Sequence, residues 1–359
     1  MLKVEINRTL PGFKLEAAFS VDGEVLGILG PSGSGKTMTL NCIAGLIRPD
    51  RGFIQLNDRV LFDVSQKINL PSRDRNIGFV FQNYALFPHL TVSENIAYGI
   101  RHHSRLEVSD RVQTSIENMG LDGLQNRFPQ QLSAGQQQRV AVARALAPEP
   151  EILLLDEPFS ALDSLTKEQL EMQILELRQF YKGHIILVTH DLAEAYRLSS
   201  RIAVYDAGKI IQCDRKEKLI SSPANQKVAR ITGFRNLLPG TIDEVNDSNI
   251  SIAVPGLGTL KAVRYKHSRL TSGMSVTIGI NPEYVKIDDH PGENTLNGIL
   301  SRIVEEIRGF RCFFQLDDAQ GNAYQLDAIL SKSDKDIIPT LGNNVYIHLS
   351  SEHLVVITH

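Results

Sequence analysis

The stretch Gly30-Pro-Ser-Gly-Ser-Gly-Lys-Thr37 decides how this chain is organised. It fits the pattern G-x-x-x-x-G-K-[ST], and it stands between a short apolar run over residues 25–29 and a helical pattern over residues 37–46. Glycines let the backbone N–H groups of such a turn point inward, and the N-terminus of the following helix favours negative charge. This strand, turn and helix are therefore predicted to bind phosphate groups.

Each residue of this loop has an expected part in holding a nucleotide. Lys36 is expected to reach the β- and γ-phosphates of ATP, and the Thr37 hydroxyl is expected to bind Mg²⁺. The alternative is a glycine-rich turn with an incidental lysine, which the strand and helix on either side disfavour. The predicted nucleotide-binding residues of the loop are Gly30, Pro31, Ser32, Gly33, Ser34, Gly35, Lys36 and Thr37.

A second apolar run, residues 152–155, ends in the two carboxylates Asp156 and Glu157. Phosphate ligands bind at the carboxyl ends of parallel strands, so these acids are predicted to lie beside the loop. Asp156 is expected to hold Mg²⁺ through water, and Glu157 to polarise the water that attacks the γ-phosphate. Paired acids after a strand are often only a helix cap, but their combination with the loop favours catalysis.

Composition excludes several other classes of protein. The 359 residues exceed one ordinary core, which predicts two domains. The net charge is −3, with −5 on residues 236–359 (10 Lys/Arg against 15 Asp/Glu) and +2 before them, so no nucleic-acid partner is expected. No apolar run is long enough to span a bilayer. The cysteines Cys42, Cys213 and Cys312 are far apart, which predicts free thiols.

The chain changes character near residue 234. Residues 1–233 alternate short apolar runs with helical patterns, which predicts an α/β domain with a helical subdomain at about 88–147. Residues 234–359 alternate apolar and polar positions as strands do, which predicts an all-β domain. An internal repeat relates about 236–290 to 294–358 and predicts tandem barrels that resemble the oligonucleotide/oligosaccharide-binding fold; a chance repeat is the alternative.

The motif Leu132-Ser-Ala-Gly-Gln-Gln-Gln-Arg139 resembles the LSGGQ signature of ABC ATPases, with Ala134 in place of a glycine. This resemblance covers essentially the whole chain and is most specific over residues 25–210. It implies that Ser133, Gly135 and Gln136 contact the ATP held by the loop of a second subunit. A homodimer of nucleotide-binding subunits is therefore expected.

Three further elements of this family follow in the expected order. Gln82 resembles the Q-loop glutamine, which senses Mg²⁺ and the attacking water. Asp163 ends a stretch that is similar to the D-loop of the dimer interface, and His190 resembles the switch histidine that contacts the γ-phosphate. The aromatic residue that stacks on adenine is not assigned. Phe13 is the nearest candidate, and a core role for it is equally open.

The segment over residues 83–97 is similar to the importer version of the region after the Q-loop. The resemblance implies that Tyr84, Leu86, Phe87 and Pro88 form an apolar patch that receives a coupling helix. It also implies two membrane-spanning permease subunits and a solute-binding protein as partners. The chain is then expected to be peripheral, at the cytoplasmic face of the cell membrane.

The stretches over residues 61–63 and 70–73 look most like those of molybdate importer ATPases. Sulfate/thiosulfate, ferric iron, polyamine and sugar importers stay open, as does binding of an oxyanion by the β domain. Ile280-Asn-Pro-Glu283 is similar to a motif of the importer regulatory domain, with Asn281 in place of arginine.

Three alternatives to an importer ATPase remain. A soluble ABC ATPase acting on DNA or the ribosome would show nucleic-acid-stimulated hydrolysis. A P-loop kinase would transfer phosphate to a small molecule, and the signature element has no use in it. An exporter ATPase is disfavoured by the C-terminal β domain.

Overall fold

The structure is a computed structural model that describes residues 1–264, 270–317 and 323–358. The chain divides into two compact units, Met1–Lys216 and Glu217–His359. The sequence placed the boundary at 233/234, and residues 265–269, 318–322 and 359 of that second domain lie outside the described residues. The boundary is earlier because Ala229 and Phe234 pack with Val355 and Ile357 of the second unit.

The first unit contains eleven strands and six α-helices. The strands are β1 (Leu2–Leu10), β2 (Phe13–Val21), β3 (Val25–Leu29), β4 (Arg51–Leu56), β5 (Arg59–Asp63), β6 (Ile68–Asn69), β7 (Ile77–Val80), β8 (Ile152–Asp156), β9 (His184–Thr189), β10 (Arg201–Asp206) and β11 (Lys209–Arg215). The α-helices are α1 (Lys36–Ala44), α2 (Val92–Ala97), α3 (Arg105–Asn118), α4 (Ala134–Leu146), α5 (Ser164–Phe180) and α6 (Leu192–Leu198). Short 3₁₀ turns are formed by Ser72–Asp74, Tyr98–Ile100 and Pro129–Gln131.

The strands of the first unit form one sheet in the order β6-β5-β4-β1-β2-β11-β10-β3-β9-β8-β7. Strands β10, β3, β9, β8 and β7 pair in parallel, whereas β1 pairs antiparallel with both β2 and β4. Every residue of β3, β8 and β9 is buried, as expected for parallel strands covered on both faces. The predicted α/β class is confirmed, and β3 and β8 end at the same edge of the sheet.

The helices α2, α3 and α4 account for the predicted helical segment. Each begins at a hydroxyl residue with a glutamate or glutamine three residues later: Thr91 with Glu94, Ser104 with Glu107, and Ser133 with Gln136. Both hydrogen bonds of the capping box are present in all three, which fixes where these helices start. In the described parts of the chain, no helix is long and apolar enough to cross a bilayer.

The second unit is mostly β. Its described strands are β12 (Asn236–Val245), β13 (Asn249–Val254), β14 (Gly258–Val263), β15 (Ser275–Ile280), β16 (Val285–Asp288), β17 (Thr295–Glu306), β18 (Gly309–Asp317), β19 (Ala323–Ser331), β20 (Asn344–Leu349) and β21 (Val355–Thr358). Two short helices, α7 (Lys216–Ser221) and α8 (Gln226–Ile231), precede them, and 3₁₀ turns lie at Pro282–Tyr284, Lys332–Ile337 and Ser351–His353. The predicted all-β C-terminal domain is confirmed.

The two halves of this unit exchange their last strands. One sheet has the order β14-β13-β12-β15-β21 and the other β16-β20-β17-β18-β19. Strand β21 of the second half pairs with β15 of the first, with Gly279 opposite Val355. Strand β16 of the first half pairs with β20 of the second, with Lys286 opposite His348. Each sheet is therefore completed by the other half of the repeat.

Two asparagines at equivalent places hold the halves together. The buried Asn236 side chain bonds both backbone groups of Asp327 at 2.8 Å. Asn294 likewise accepts from the Lys261 N–H at 2.7 Å and donates to its carbonyl at 2.8 Å. A buried strand needs partners for its free N–H and C=O groups, and each asparagine supplies both.

Replacing Asn236 by alanine should destabilise the second unit. The substitution leaves the N–H and C=O of Asp327 buried without partners, which costs about 1–3 kcal/mol. Urea denaturation of the full chain, followed by a probe in the second unit, measures the loss. Asn297→Ala is the matched control, because Asn297 is exposed on β17. Equal stability of the two variants would contradict the assigned role.

Candidate active site

A cleft of about 540 Å³ opens at the edge of the sheet where β3 ends. Residues of the glycine-rich loop, the carboxylate pair and the Q-loop line it together, although they are far apart in the sequence. The lining residues are Leu10, Phe13, Ser32, Gly33, Gly35, Lys36, Thr37, Met38, Asn41, Ile47, Gln82 and Glu157. The structure therefore brings five of the eight predicted loop residues together with Gln82 and Glu157.

The loop between β3 and α1 needs glycine at two positions. Gly33 and Gly35 have φ of 77° and 103°, in the left-handed region that only glycine adopts freely. A Cβ on Gly35 would also lie 3.0 Å from the Phe13 ring and 2.9 Å from Leu15. Phe13 thus packs directly under the loop while its ring reaches the cleft.

Charged groups of both signs lie at the base of the cleft. The Lys36 ammonium donates to the Gly30 and Pro31 carbonyls, both at 2.9 Å. The Thr37 hydroxyl donates to the Asp156 carboxylate at 2.9 Å, which joins the start of α1 to the end of β8. Burial lowers the pKa of Lys36 and raises that of Asp156, since each charged form loses hydration.

Glu157 follows β8 in a strained conformation. Its φ is 43°, which for a residue with a Cβ is unfavourable and is common at functional sites. The carboxylate is 3.2 Å from His190 Nδ1 and faces the cleft that Gln82 also lines. Of the predicted catalytic residues, Glu157 and Gln82 therefore line the cleft, and His190 contacts Glu157.

The remaining predicted residues form a second group outside this cleft. Ser133 caps α4, and Gly135 in the first turn of that helix lies against Thr166 of α5. Thr166 donates its hydroxyl to Asp163 at 2.6 Å. Ser133, Gln136 and Asp163 thus share one surface formed by the N-termini of two helices, whereas Gly135 is buried against α5. Such helix ends favour anions.

Sequence reasoning missed an ionic network beside His190. The Lys167 ammonium of α5 bonds Asp191 at 3.1 Å and Glu194 at 2.5 Å, on both sides of the turn into α6. Glu194 also accepts a hydrogen bond from Thr189. These bonds hold the residues before and after His190, and no spacing rule in the sequence pairs them. Leu10, Asn41 and Ile47 of the cleft were likewise not predicted.

Gly135→Ala should destabilise the contact between α4 and α5. Its Cβ would lie 2.1 Å from the Thr166 methyl carbon, an overpacking that costs about 1–3 kcal/mol. Adding Thr166→Ser removes that methyl group and keeps the hydroxyl that bonds Asp163. The double variant should therefore recover stability toward wild type in thermal denaturation. No recovery would show that Gly135 is needed for another reason.

Comparisons with known proteins agree with this arrangement. The family profile described as ABC transporter matches residues 18–160. The molybdate/tungstate import ATP-binding protein WtpC of Pyrococcus horikoshii is 38% identical over 88% of this chain and 88% of its own length. The spermidine/putrescine import ATP-binding protein PotA of Vibrio cholerae is 33% identical over 95% of this chain and 90% of its own.

Two further similarities cover a smaller share of the chain. The sulfate/thiosulfate import ATP-binding protein CysA of Mycobacterium bovis is 44% identical over 64% of each chain. The solved dimer of the ATP-binding cassette MJ0796 bound to ADP and Pi is 32% identical, with a TM-score of 0.52 over 60% of this chain and 99% of that one. These similarities show that the chain belongs to the ABC transporter family, as an importer-type ATP-binding protein and ATPase.

Proposed function

We propose that this chain hydrolyses ATP at a site that two copies complete head to tail, and that the cycle drives uptake of an oxyanion of the molybdate type. One observation carries the dimer. The phosphate cleft and the group formed by Ser133, Gln136 and Asp163 are separate surfaces of one chain. Each has the donors for a phosphate, so a second copy turned around supplies the missing half.

The cleft offers a distinct place for each part of ATP. The loop from Gly30 to Thr37 surrounds the phosphates with backbone N–H groups and the Lys36 ammonium. The apolar end of the cleft, with Leu10, Phe13 and Ile47, suits the adenine ring. The Phe13 ring is the aromatic face available for stacking there, which is worth about 0.5–1.5 kcal/mol beyond its buried area.

The oxygen atoms beside the phosphate loop fit Mg²⁺. Thr37 and Asp156 present a hydroxyl and a carboxylate 2.9 Å apart, and the Gln82 amide lines the same cleft. Mg²⁺ in proteins prefers one or two such oxygen ligands together with water and substrate phosphates. Consistently, the described residues contain no cluster of three or more acids, histidines or cysteines that would bind a metal by themselves. When bound there, Mg²⁺ would neutralise charge on the phosphates.

The reacting water is assigned to the end of the cleft at Glu157. The carboxylate orients the water and takes up its proton as the water attacks the γ-phosphate. His190, 3.2 Å from that carboxylate, holds it in place and donates toward the γ-phosphate oxygens. Lys36 and the helix ends stabilise the charge that develops on the transferred group.

Glu157→Gln should abolish turnover without abolishing binding. The amide cannot accept the proton from water, so kcat for phosphate release should fall by about 10²–10⁴-fold. Titration with a fluorescent ATP analogue should give a nearly unchanged affinity, and ATP should now trap the dimer in sedimentation. Glu168→Gln, on the exposed face of α5, is the control. Full activity of Glu157→Gln would mean that another residue is the general base.

The segment after Gln82 supports an assignment of the membrane partners. Leu86, Phe87, Pro88 and Tyr98 present apolar surface there, and Tyr98 is 48% exposed with its ring 4.2 Å from that of Phe87. Tyr84, which the sequence also predicts in this patch, is buried instead. We assign this patch to the binding of a coupling helix from a permease subunit. The complete system has two membrane-spanning permease subunits and two copies of this chain. A solute-binding protein completes the system, with this chain peripheral at the cytoplasmic face of the membrane.

The similarity to the molybdate/tungstate protein supports the choice of solute. It extends over 88% of this chain at 38% identity and so includes much of the C-terminal unit. The sulfate/thiosulfate protein matches only 64% of this chain, at 44% identity. The polyamine protein covers more of the chain at lower identity, so a polyamine importer is the second candidate.

Uptake by membrane vesicles that contain this chain and its permease, assayed with the solute-binding protein present, tests the solute. ATP should drive accumulation of molybdate, and the Glu157→Gln variant should abolish it. Excess tungstate should compete strongly because it has the same charge and nearly the same shape. Excess putrescine should not compete. Putrescine uptake without molybdate uptake would replace the oxyanion by a polyamine and leave the ATPase assignment intact.

A further inference from the structure

The segment after the Q-loop contains two consecutive residues in left-handed conformation. Tyr84 and Ala85 have φ of 60° and 46°. Residues with a Cβ pay roughly 1–2 kcal/mol each for this conformation. A turn with two such residues persists only when its surroundings hold it. Because the apolar patch at Leu86 and Phe87 follows directly, this turn sets where the patch lies.

Arg144 holds the turn from the end of α4. Its Nη1 donates to the Ala85 carbonyl at 2.7 Å, and its Nη2 donates to the Tyr84 carbonyl at 2.9 Å. The guanidinium also lies 5.3 Å from the centre of the Phe87 ring. One rigid planar group therefore contacts both strained residues and the aromatic residue of the patch, which a lysine ammonium could not reproduce.

The guanidinium has no carboxylate partner among the described residues, and burial lowers its pKa. A half-buried charge bonded only to backbone carbonyls is costly unless those bonds are strong. The side chain therefore gains most when both carbonyls face it, which is the left-handed form of the turn. The turn and Arg144 stabilise each other.

The backbone of Phe87 has its own anchor, separate from the contact of its ring with Arg144. Its N–H donates to the Asn95 side chain at 2.9 Å, and the Asn95 amide donates to the Phe87 carbonyl at 3.1 Å. Asn95 lies on α2 and is fully buried. The patch thus has one anchor on α2 and another on α4, and movement of α4 relative to α2 would act on the turn between them.

Helix α4 is the helix whose N-cap is Ser133, in the predicted signature. Arg144 lies eleven residues further on, roughly 16 Å along the axis at about 1.5 Å per residue. We propose that Arg144 is the positioning residue that transmits movement of α4, caused when its N-terminus contacts nucleotide, to the permease-facing patch. The proposal rests on the proposed function for the contact of α4 with nucleotide and for the identity of the partner at the patch.

Hydrogen exchange of the isolated full-length chain tests the contact without a permease. Arg144→Ala should speed exchange at the Tyr84 and Ala85 amides by about tenfold or more, because the turn loses its anchor. Exchange at Phe87 is the internal reference, since Asn95 still holds it. Arg139→Ala is the matched control, because that guanidinium on the same helix bonds Gln169 instead. Unchanged exchange in Arg144→Ala would overturn the proposal.

A second substitution separates positioning from general stability. Ala85→Gly removes the strain, since glycine adopts a positive φ freely, so Ala85→Gly in the Arg144→Ala background should restore much of the protection at Tyr84. Arg144→Lys should be intermediate. If glycine does not restore protection, Arg144 affects exchange only through the general stability of the fold and not by positioning the turn.

The functional readout compares two activities of the same variants. Arg144→Ala should keep the isolated chain's ATP hydrolysis within about threefold of wild type while ATP-driven uptake in vesicles falls by about tenfold or more. A proportional loss of both would overturn the transmission role. Failure of wild-type vesicles to take up any solute would instead reject the proposed importer function and leave the exchange result standing.

Discussion

The hydrogen bond from Thr37 to Asp156 joins the two parts of the chain on which the site depends. Thr37 lies in the first turn of the helix after β3, and Asp156 ends β8, with β9 between those strands in the sheet. The bond forms only if three buried parallel strands end level with one another. Their continuous apolar runs ensure this, because a shift in register would expose buried side chains. The groups of the loop then lie beside those at the end of β8, although the two segments are far apart in sequence.

The same burial gives the cleft its electrostatic character. It lowers the pKa of Lys36 and raises that of Asp156, since both side chains have lost hydration. A phosphate beside Lys36 and a cation beside Asp156 would each restore the favourable surroundings of a charge. Glu157 follows this pair in a left-handed conformation, which is strained for a residue with a Cβ. This strained backbone directs the Glu157 carboxylate into the cleft.

The C-terminal unit also depends on pairing between segments that are far apart in the sequence. Each half of the repeat is too small to close its own sheet, so the last strand of each completes the other. The equivalent bonds of Asn236 and Asn294 follow the same relation. The rings of Tyr284 and His353 stack 3.7 Å apart, which brings together the turns that precede the exchanged strands. The pairing between the two halves therefore completes both sheets of the unit.

Local chemistry determined much of this protein from sequence alone. The loop over residues 30–37, the acids Asp156 and Glu157 and the three capping boxes are short-range patterns whose conformations depend on neighbouring residues. The strand exchange, the earlier domain boundary, the Lys167 network and the contact of Arg144 with Tyr84 and Ala85 join residues distant in the chain. Only the tertiary structure decided these, because the stability of each contact depends on burial and geometry that the whole fold creates and no local pattern encodes.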